Sequence, residues 1–151
     1  MLRLPRKMMY ALEAVVDIAY NARPEPVQSK EIARRQGIPQ RYLEQVMQQL
    51  VHAGILKGVR GPRGGYTLAR ERRRITLGEV MRTIELMDAE GEVDDYGGGS
   101  ALGQQVVRPL WLELQTEVMR KLDAVTLEEI CARARDTGIK TEGRDASDFN
   151  I

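Results

Sequence analysis

The sequence predicts a mainly α protein with a small β-hairpin wing: a winged helix-turn-helix followed by a long dimerisation helix. Three observations carry this. Two helical patterns meet at Gly37-Ile38-Pro39. A short apolar strand, a glycine- and arginine-bearing turn and a returning strand follow at once. Further on, apolar residues recur at helical spacing over 106–123. The expected organisation is a DNA-binding domain over 1–86, a flexible acidic and glycine-rich loop over 87–105, a dimerisation helix with a short following helix over 106–136, and a disordered tail over 137–151.

The first helix is expected over 6–21, with Met9, Leu12, Val15, Val16, Ala19 and Tyr20 as its apolar face. Asn21 and Pro24 end it. Ser29 is the expected cap of a second helix, Lys30 to Gln36, with Glu31 opposing the helix dipole. Gly37 supplies the left-handed residue that stops it. Pro39 opens a third helix, where its missing N–H costs nothing. Tyr42, Leu43, Val46, Met47, Leu50 and Val51 form its inward side, and Ala53-Gly54 ends it. Ile55–Arg60 and Tyr66–Leu68 read as strands around the turn Gly61-Pro62-Arg63-Gly64-Gly65. Thr76 caps a helix at about 77–86, and Thr126 caps one at about 126–135. Pro109 belongs in the first turn of the long helix or kinks it. Val107, Leu110, Trp111, Leu114, Val118 and Leu122 make an apolar stripe that a second copy would cover. Packing within the chain is the alternative.

Charge divides the chain. Residues 1–84 hold 16 Lys and Arg against 7 Asp and Glu, and the remainder hold 7 against 15. A basic half suits a polyanion, because Lys and Arg displace the counterions of phosphates. The N-terminal end of a recognition helix enters the major groove. There Gln40, Arg41, Glu44, Gln45 and Gln48 project. Arg reads guanine, Gln adenine and Glu cytosine, so Arg41 and Gln45 are the leading base readers. Glu44 either meets a base donor or pairs with Arg41. Arg60 and Arg63 on the wing suit the minor groove or flanking phosphates. Gly61, Gly64 and Gly65 let backbone approach closely. Arg3, Arg6, Lys7 and Lys30 are candidate phosphate contacts.

Other functions find little support. His52 is the only histidine, and no nucleophile–base set accompanies it, so no catalytic residue is assigned. The glycines at 61–65 match no phosphate-binding fingerprint. With Cys131 the only cysteine, intramolecular disulfides and multi-thiolate metal sites are excluded, and neither metal nor cofactor is expected. Cys131 reads as a small buried residue, with a redox thiol as the alternative. Glu13 and Asp17 interrupt the only apolar run resembling a leader, and no stretch approaches the roughly 18 apolar residues of a span, so a cytoplasmic location without membrane contact is expected. A protein-interaction adaptor using 88–95 as its surface is the competing function.

Several motifs together resemble the Rrf2 family of winged-helix regulators (IscR/CymR-like). They are Arg3-Leu4 through Tyr10-Ala11, Gly37-Ile38-Pro39 with Tyr42-Leu43-Glu44-Gln45, and Val59-Arg60-Gly61-Pro62 with Gly64-Gly65-Tyr66. Ile75 to Val80, Leu110-Trp111 and Val125 to Glu129 extend the likeness to about residue 130. The resemblance implies a homodimer on palindromic double-stranded DNA, a small-molecule or protein effector, and DNA contacts at Tyr42, Glu44, Gln45 and Arg60, with Arg41 at a contacting position of variable identity. It also implies where cluster-binding members hold iron and sulfur. Aligned from Leu110-Trp111, those positions are Val93, Gly99, Gln105 and Arg108, none of them a soft iron ligand. Glu13 stands where one variant places a ligand, but no cysteines join it. Control without a cluster is therefore expected, with sulfur or cysteine metabolism as the implied process.

Overall fold

The computed structural model describes residues 4–88 and 99–142 of the chain. Its helices are α1 (Arg6–Tyr20), α2 (Ser29–Gln36), α3 (Gln40–His52), α4 (Leu77–Asp88), α5 (Arg108–Ala124) and α6 (Leu127–Asp136). Strands β1 (Leu56–Val59) and β2 (Gly65–Leu68) lie between α3 and α4. They pair antiparallel, with Leu56 opposite Leu68 and Val59 opposite Gly65. This is the winged helix-turn-helix with a long trailing helix.

The core forms where α1 crosses the other helices. Its buried face is Met8, Ala11, Ala14, Val15, Ile18 and Ala19; of the expected face Val15 and Ala19 lie within it, Leu12, Val16 and Tyr20 pack half-buried against it, and only Met9, 43 % exposed, turns away. The small alanines let neighbouring helices approach closely. Val15, Ile18, Leu43, Met47, Leu50 and Ile84 are among the fully buried side chains. Burying each contributes about 1.5–3 kcal/mol.

Local chemistry sets the boundaries. Gln28, not Ser29, precedes α2, and its N–H donates to Glu31 Oε2 at 3.0 Å. Gly37 ends α2 at φ 65°, in the left-handed region. Pro39 sits just before α3, and its carbonyl accepts from the N–H groups of Tyr42 and Leu43. Thr76 and Thr126 cap as expected, accepting from the N–H groups of Glu79 and Glu129 at 3.2 Å. The two cap segments also pair with each other: Leu77 N–H donates to Val125 O, and Leu127 N–H to Ile75 O.

Two expected irregular stretches contain order. Residues 101–107, within or beside the expected 87–105 loop, are helical, and Gly103–Val107 is a π-turn. Pro109 explains the turn. It lacks an N–H, and its ring crowds the carbonyl four residues back, so the preceding turn widens and Arg108 N–H reaches Gly103 O. Residues 137–142, placed in the expected tail, pack on the fold. Tyr20 donates its hydroxyl to Ile139 O, and Glu142 N–H donates to Asn21 Oδ1 at 2.8 Å.

Candidate nucleic-acid interface

The helix-turn-helix presents its outer face through the burial pattern of α3. Leu43, Val46, Met47 and Leu50 are buried, and this phase turns Gln40, Arg41, Glu44, Gln45 and Gln48 to solvent. Tyr42 turns outward as well, 49 % exposed, which corrects its reading as an inward residue. Its ring lies 6.4 Å from that of Tyr10, tilted by 43°, so α1 steadies it from behind. Gln40 Nε2 reaches Ser29 Oγ at 3.4 Å and links the N-termini of α2 and α3.

The wing is held from within. Val27 and Tyr66 exchange both backbone hydrogen bonds, Val27 N–H to Tyr66 O at 2.9 Å and Tyr66 N–H to Val27 O at 2.8 Å. Gly65 allows this, because a Cβ there would stand 2.4 Å from Val27 O. A Cβ on Gly64 would stand 2.2 Å from Val59 O, and Gly61 holds φ 113°. The glycines of the motif are thus required by the wing's own backbone. Arg60 and Arg63 project from it into solvent.

Ion pairing sorts the basic residues. Arg70 pairs with Glu79, Arg72 with Glu128, Arg73 with Glu71, and Arg82 with Asp123. The basic connection at 70–74 is therefore mostly neutralised. Arg23 and Arg35 are likewise paired, with Glu31 and Asp17. By contrast Lys30, Arg41, Arg60 and Arg63 are exposed and have no ion-pair partner among the described residues. Nor does Glu44 pair with Arg41 there, so its carboxylate is also unpartnered. Lys7 is half-buried and has a partner, and Arg3 lies outside the described residues.

Sequence reading missed the element that seats α2. Asp17 lies on the buried face of α1, its side chain fully enclosed. Arg35 clamps it through two donors, and Gln36 Nε2 donates to Oδ2 at 2.7 Å. Arg35 is held firmly protonated, first by its hydrogen bond to Asp17, against burial, and then by Glu142. A carboxylate on an apolar helix face was the available signal, since buried charges require partners.

The stripe on α5 stands open. Val107, Leu110, Trp111, Leu114 and Val118 are 40–56 % exposed, whereas Leu122 is half-buried. At the base of the helix, Arg82 donates to both Asp123 oxygens at 2.6 Å. That contact holds the Asp123 carboxyl below its usual range.

The donor set does not fit an iron–sulfur cluster. Such clusters are held by several thiolates, and the chain has one cysteine. Cys131 is buried in the core, where burial pushes its thiol up. Of the implied ligand positions, Val93 lies outside the described residues. Gly99 lies beside the Arg108 guanidinium, since a Cβ on Gly99 would be 3.3 Å from Arg108 Nη2. A cation therefore stands at that place, and no thiolate does.

Known proteins agree with this architecture. Residues 4–133 match the family model Rrf2, described as an iron-dependent transcriptional regulator. The HTH-type transcriptional regulator IscR of Xenorhabdus nematophila is 36 % identical over 133 residues, covering 85 % of this chain and 79 % of that protein. The solved structure of T. potens IscR superposes with a TM-score of 0.73 at 32 % identity, covering 93 % of both chains. That of CymR, described as the global cysteine regulator of B. subtilis, gives 0.69 at 30 % identity, covering 88 % of this chain and 98 % of CymR. The family model and the Xenorhabdus relative are both named as transcriptional regulators, a family that is not enzymatic. The chain belongs to the Rrf2 family of DNA-binding transcription regulators.

Proposed function

We propose that the chain is a cytoplasmic repressor that binds a palindromic operator as a homodimer and needs no iron–sulfur cluster. The observation that carries this reading is the set of cations, Lys30, Arg41, Arg60 and Arg63, that have no ion-pair partner among the described residues and lie on the helix-turn-helix and wing. An exposed cation without a carboxylate is available to phosphate or base edges. Arg41, Glu44 and Gln45 read bases, with Gln40 and Tyr42 flanking them. Arg60 and Arg63 enter the minor groove, and Arg3, Lys7 and Lys30 hold phosphates.

The α5 stripe supports dimerisation, because five large apolar residues stand exposed along one helix of a single chain. Two copies joined there would present two recognition helices to a two-fold symmetric site. The single cysteine supports control without a cluster. The effector is then a small molecule or a partner protein. CymR is named for cysteine regulation, and sulfur or cysteine metabolism is the process we assign by that analogy.

A binding site selected from random DNA tests the reading, together with the absorption of anaerobically purified protein. The expected result is a sequence-specific complex of two chains per palindrome from a colourless sample. Binding that is weak, salt-sensitive and indifferent to sequence would overturn operator recognition. A brown, iron-containing sample would overturn the cluster-free reading.

A further inference from the structure

We propose that the cleft between α1, α2 and α6 binds a small amphipathic carboxylic acid, whose carboxylate takes the place that Glu142 holds against Arg34 and Arg35. The cleft has a volume of about 750 Å³, within the roughly 300–1,000 Å³ of small-molecule sites. Leu12, Val16, Ile130 and Ile139 line it with apolar surface, and Arg34 and Arg35 line its polar end.

That end is already an anion site. Glu142 Oε2 accepts from Arg34 Nη2 at 2.8 Å and from Arg35 Nη1 at 2.9 Å. Two guanidinium groups thus converge on one carboxylate oxygen, an arrangement of strong, charge-assisted hydrogen bonds. Arg35 is aimed before any ligand arrives, because its Nε and Nη2 are fixed on Asp17. Both partners hold the Glu142 carboxyl below its usual range, so the site favours the anionic form.

The occupant is replaceable. Its side chain is 46 % exposed, and it arrives from a segment 107 residues beyond Arg35. That segment is held by Tyr20 on Ile139 O and by Asn21 on the Glu142 N–H. With Glu142 displaced, Arg34, Arg35 and Lys140 face the two remaining carboxylates, Glu13 and Asp17, and the cleft is net positive. A ligand with a carboxylate and an apolar body would satisfy the two arginines and lie along the apolar wall. A bare phosphate would satisfy only the first.

Calorimetry on the full chain with octanoate, 1-octanol and inorganic phosphate tests this. Octanoate should bind E142Q about 10-fold more tightly than the unaltered chain, because a tethered competitor at millimolar effective concentration is gone. Adding Arg34→Ala to E142Q should weaken octanoate about 10-fold, by loss of one charge-assisted hydrogen bond. Octanol and phosphate should each bind at least 10-fold more weakly than octanoate. Equal octanoate affinity in all chains, no binding to any, or octanol or phosphate binding as tightly as octanoate would each overturn the proposal. No measurement involves DNA, so failure here leaves operator recognition standing.

Discussion

Arg35 grips both oxygens of the Asp17 carboxylate, Nη2 to Oδ1 at 2.8 Å and Nε to Oδ2 at 2.9 Å, within the junction of α1 and α2. The carboxylate is wholly enclosed and the guanidinium nearly so. The first helix of the helix-turn-helix is therefore fastened to the N-terminal helix by a buried charge pair.

Asp17→Asn should destabilise the fold by about 1.5–3 kcal/mol, because it removes the enclosed carboxylate partner of Arg35 and leaves only the more exposed Glu142 on the guanidinium. Replacing both residues by leucine should recover much of the loss, since a well-packed apolar pair avoids the desolvation penalty. Urea unfolding of the parent and the two variants measures this. A single mutant as stable as the parent would remove the pair from the account of the fold.

Gly65→Ala should loosen the wing. The new Cβ would meet Val27 O at 2.4 Å, so the Val27–Tyr66 bridge must open. Gly58→Ala on the same hairpin has nothing within 4 Å and should be tolerated. Thermal melts and operator titrations of the two should diverge; matching profiles would dismiss the steric argument.

Arg41→Ala and Gln45→Ala should each weaken specific binding by about 1–3 kcal/mol and relax specificity at one base position. Lys30→Ala should act differently, reducing the slope of log affinity against log salt by about 1, as loss of a phosphate contact does. Titrations at several salt concentrations separate the roles. Operator affinity untouched in both helix variants would refute their assignment as readers.

Leu114→Glu should give a folded monomer. Leu114 is 50 % exposed in the single chain, so its loss leaves the core intact, while a carboxylate would be stranded in a joined stripe. Light scattering should show half the mass with unchanged helical circular dichroism. An unaltered mass would place the interface elsewhere.

Acid stability should depend on Glu31. Burial opposes its ionisation, but hydrogen bonds from Arg23 and the Gln28 N–H prevail and lower its pKa. A lowered folded value makes the stabilisation complete above the unfolded pKa, about 4.3 for Glu, and lost as pH falls through the folded value. The stability gap between the parent and Glu31→Gln should thus be present at pH 7 and close under strongly acidic conditions. A gap that widens on acidification would reverse this sign.

Much of the helix-turn-helix was legible because its signals are local. Gly37, Thr76 and Thr126 act within a few residues of themselves, and the apolar phase of α3 is set by Leu43, Val46, Met47 and Leu50. The errors came from distant partners. The face of α1 depends on which helices lean on Ala11 and Ala14. The outward turn of Tyr42 places its ring beside Tyr10 on another helix. Asp17, Arg35 and Glu142 converge from three separate regions, and no spacing rule links them. Arg70, Arg72 and Arg73 are paired with Glu79, Glu128 and Glu71, two of which come from other helices.

The exchange of backbone hydrogen bonds between Val27 and Tyr66 has a consequence for the length of the operator. Val27 lies just ahead of α2, so the hairpin is sutured to the segment that introduces the helix-turn-helix. The arginine tip cannot swing far from the reading helix without breaking that suture. Each half-site should therefore have a fixed footprint, with an invariant number of base pairs between the bases read by α3 and the groove reached by the wing. Inserting one base pair there should abolish binding rather than be absorbed by a yielding hairpin.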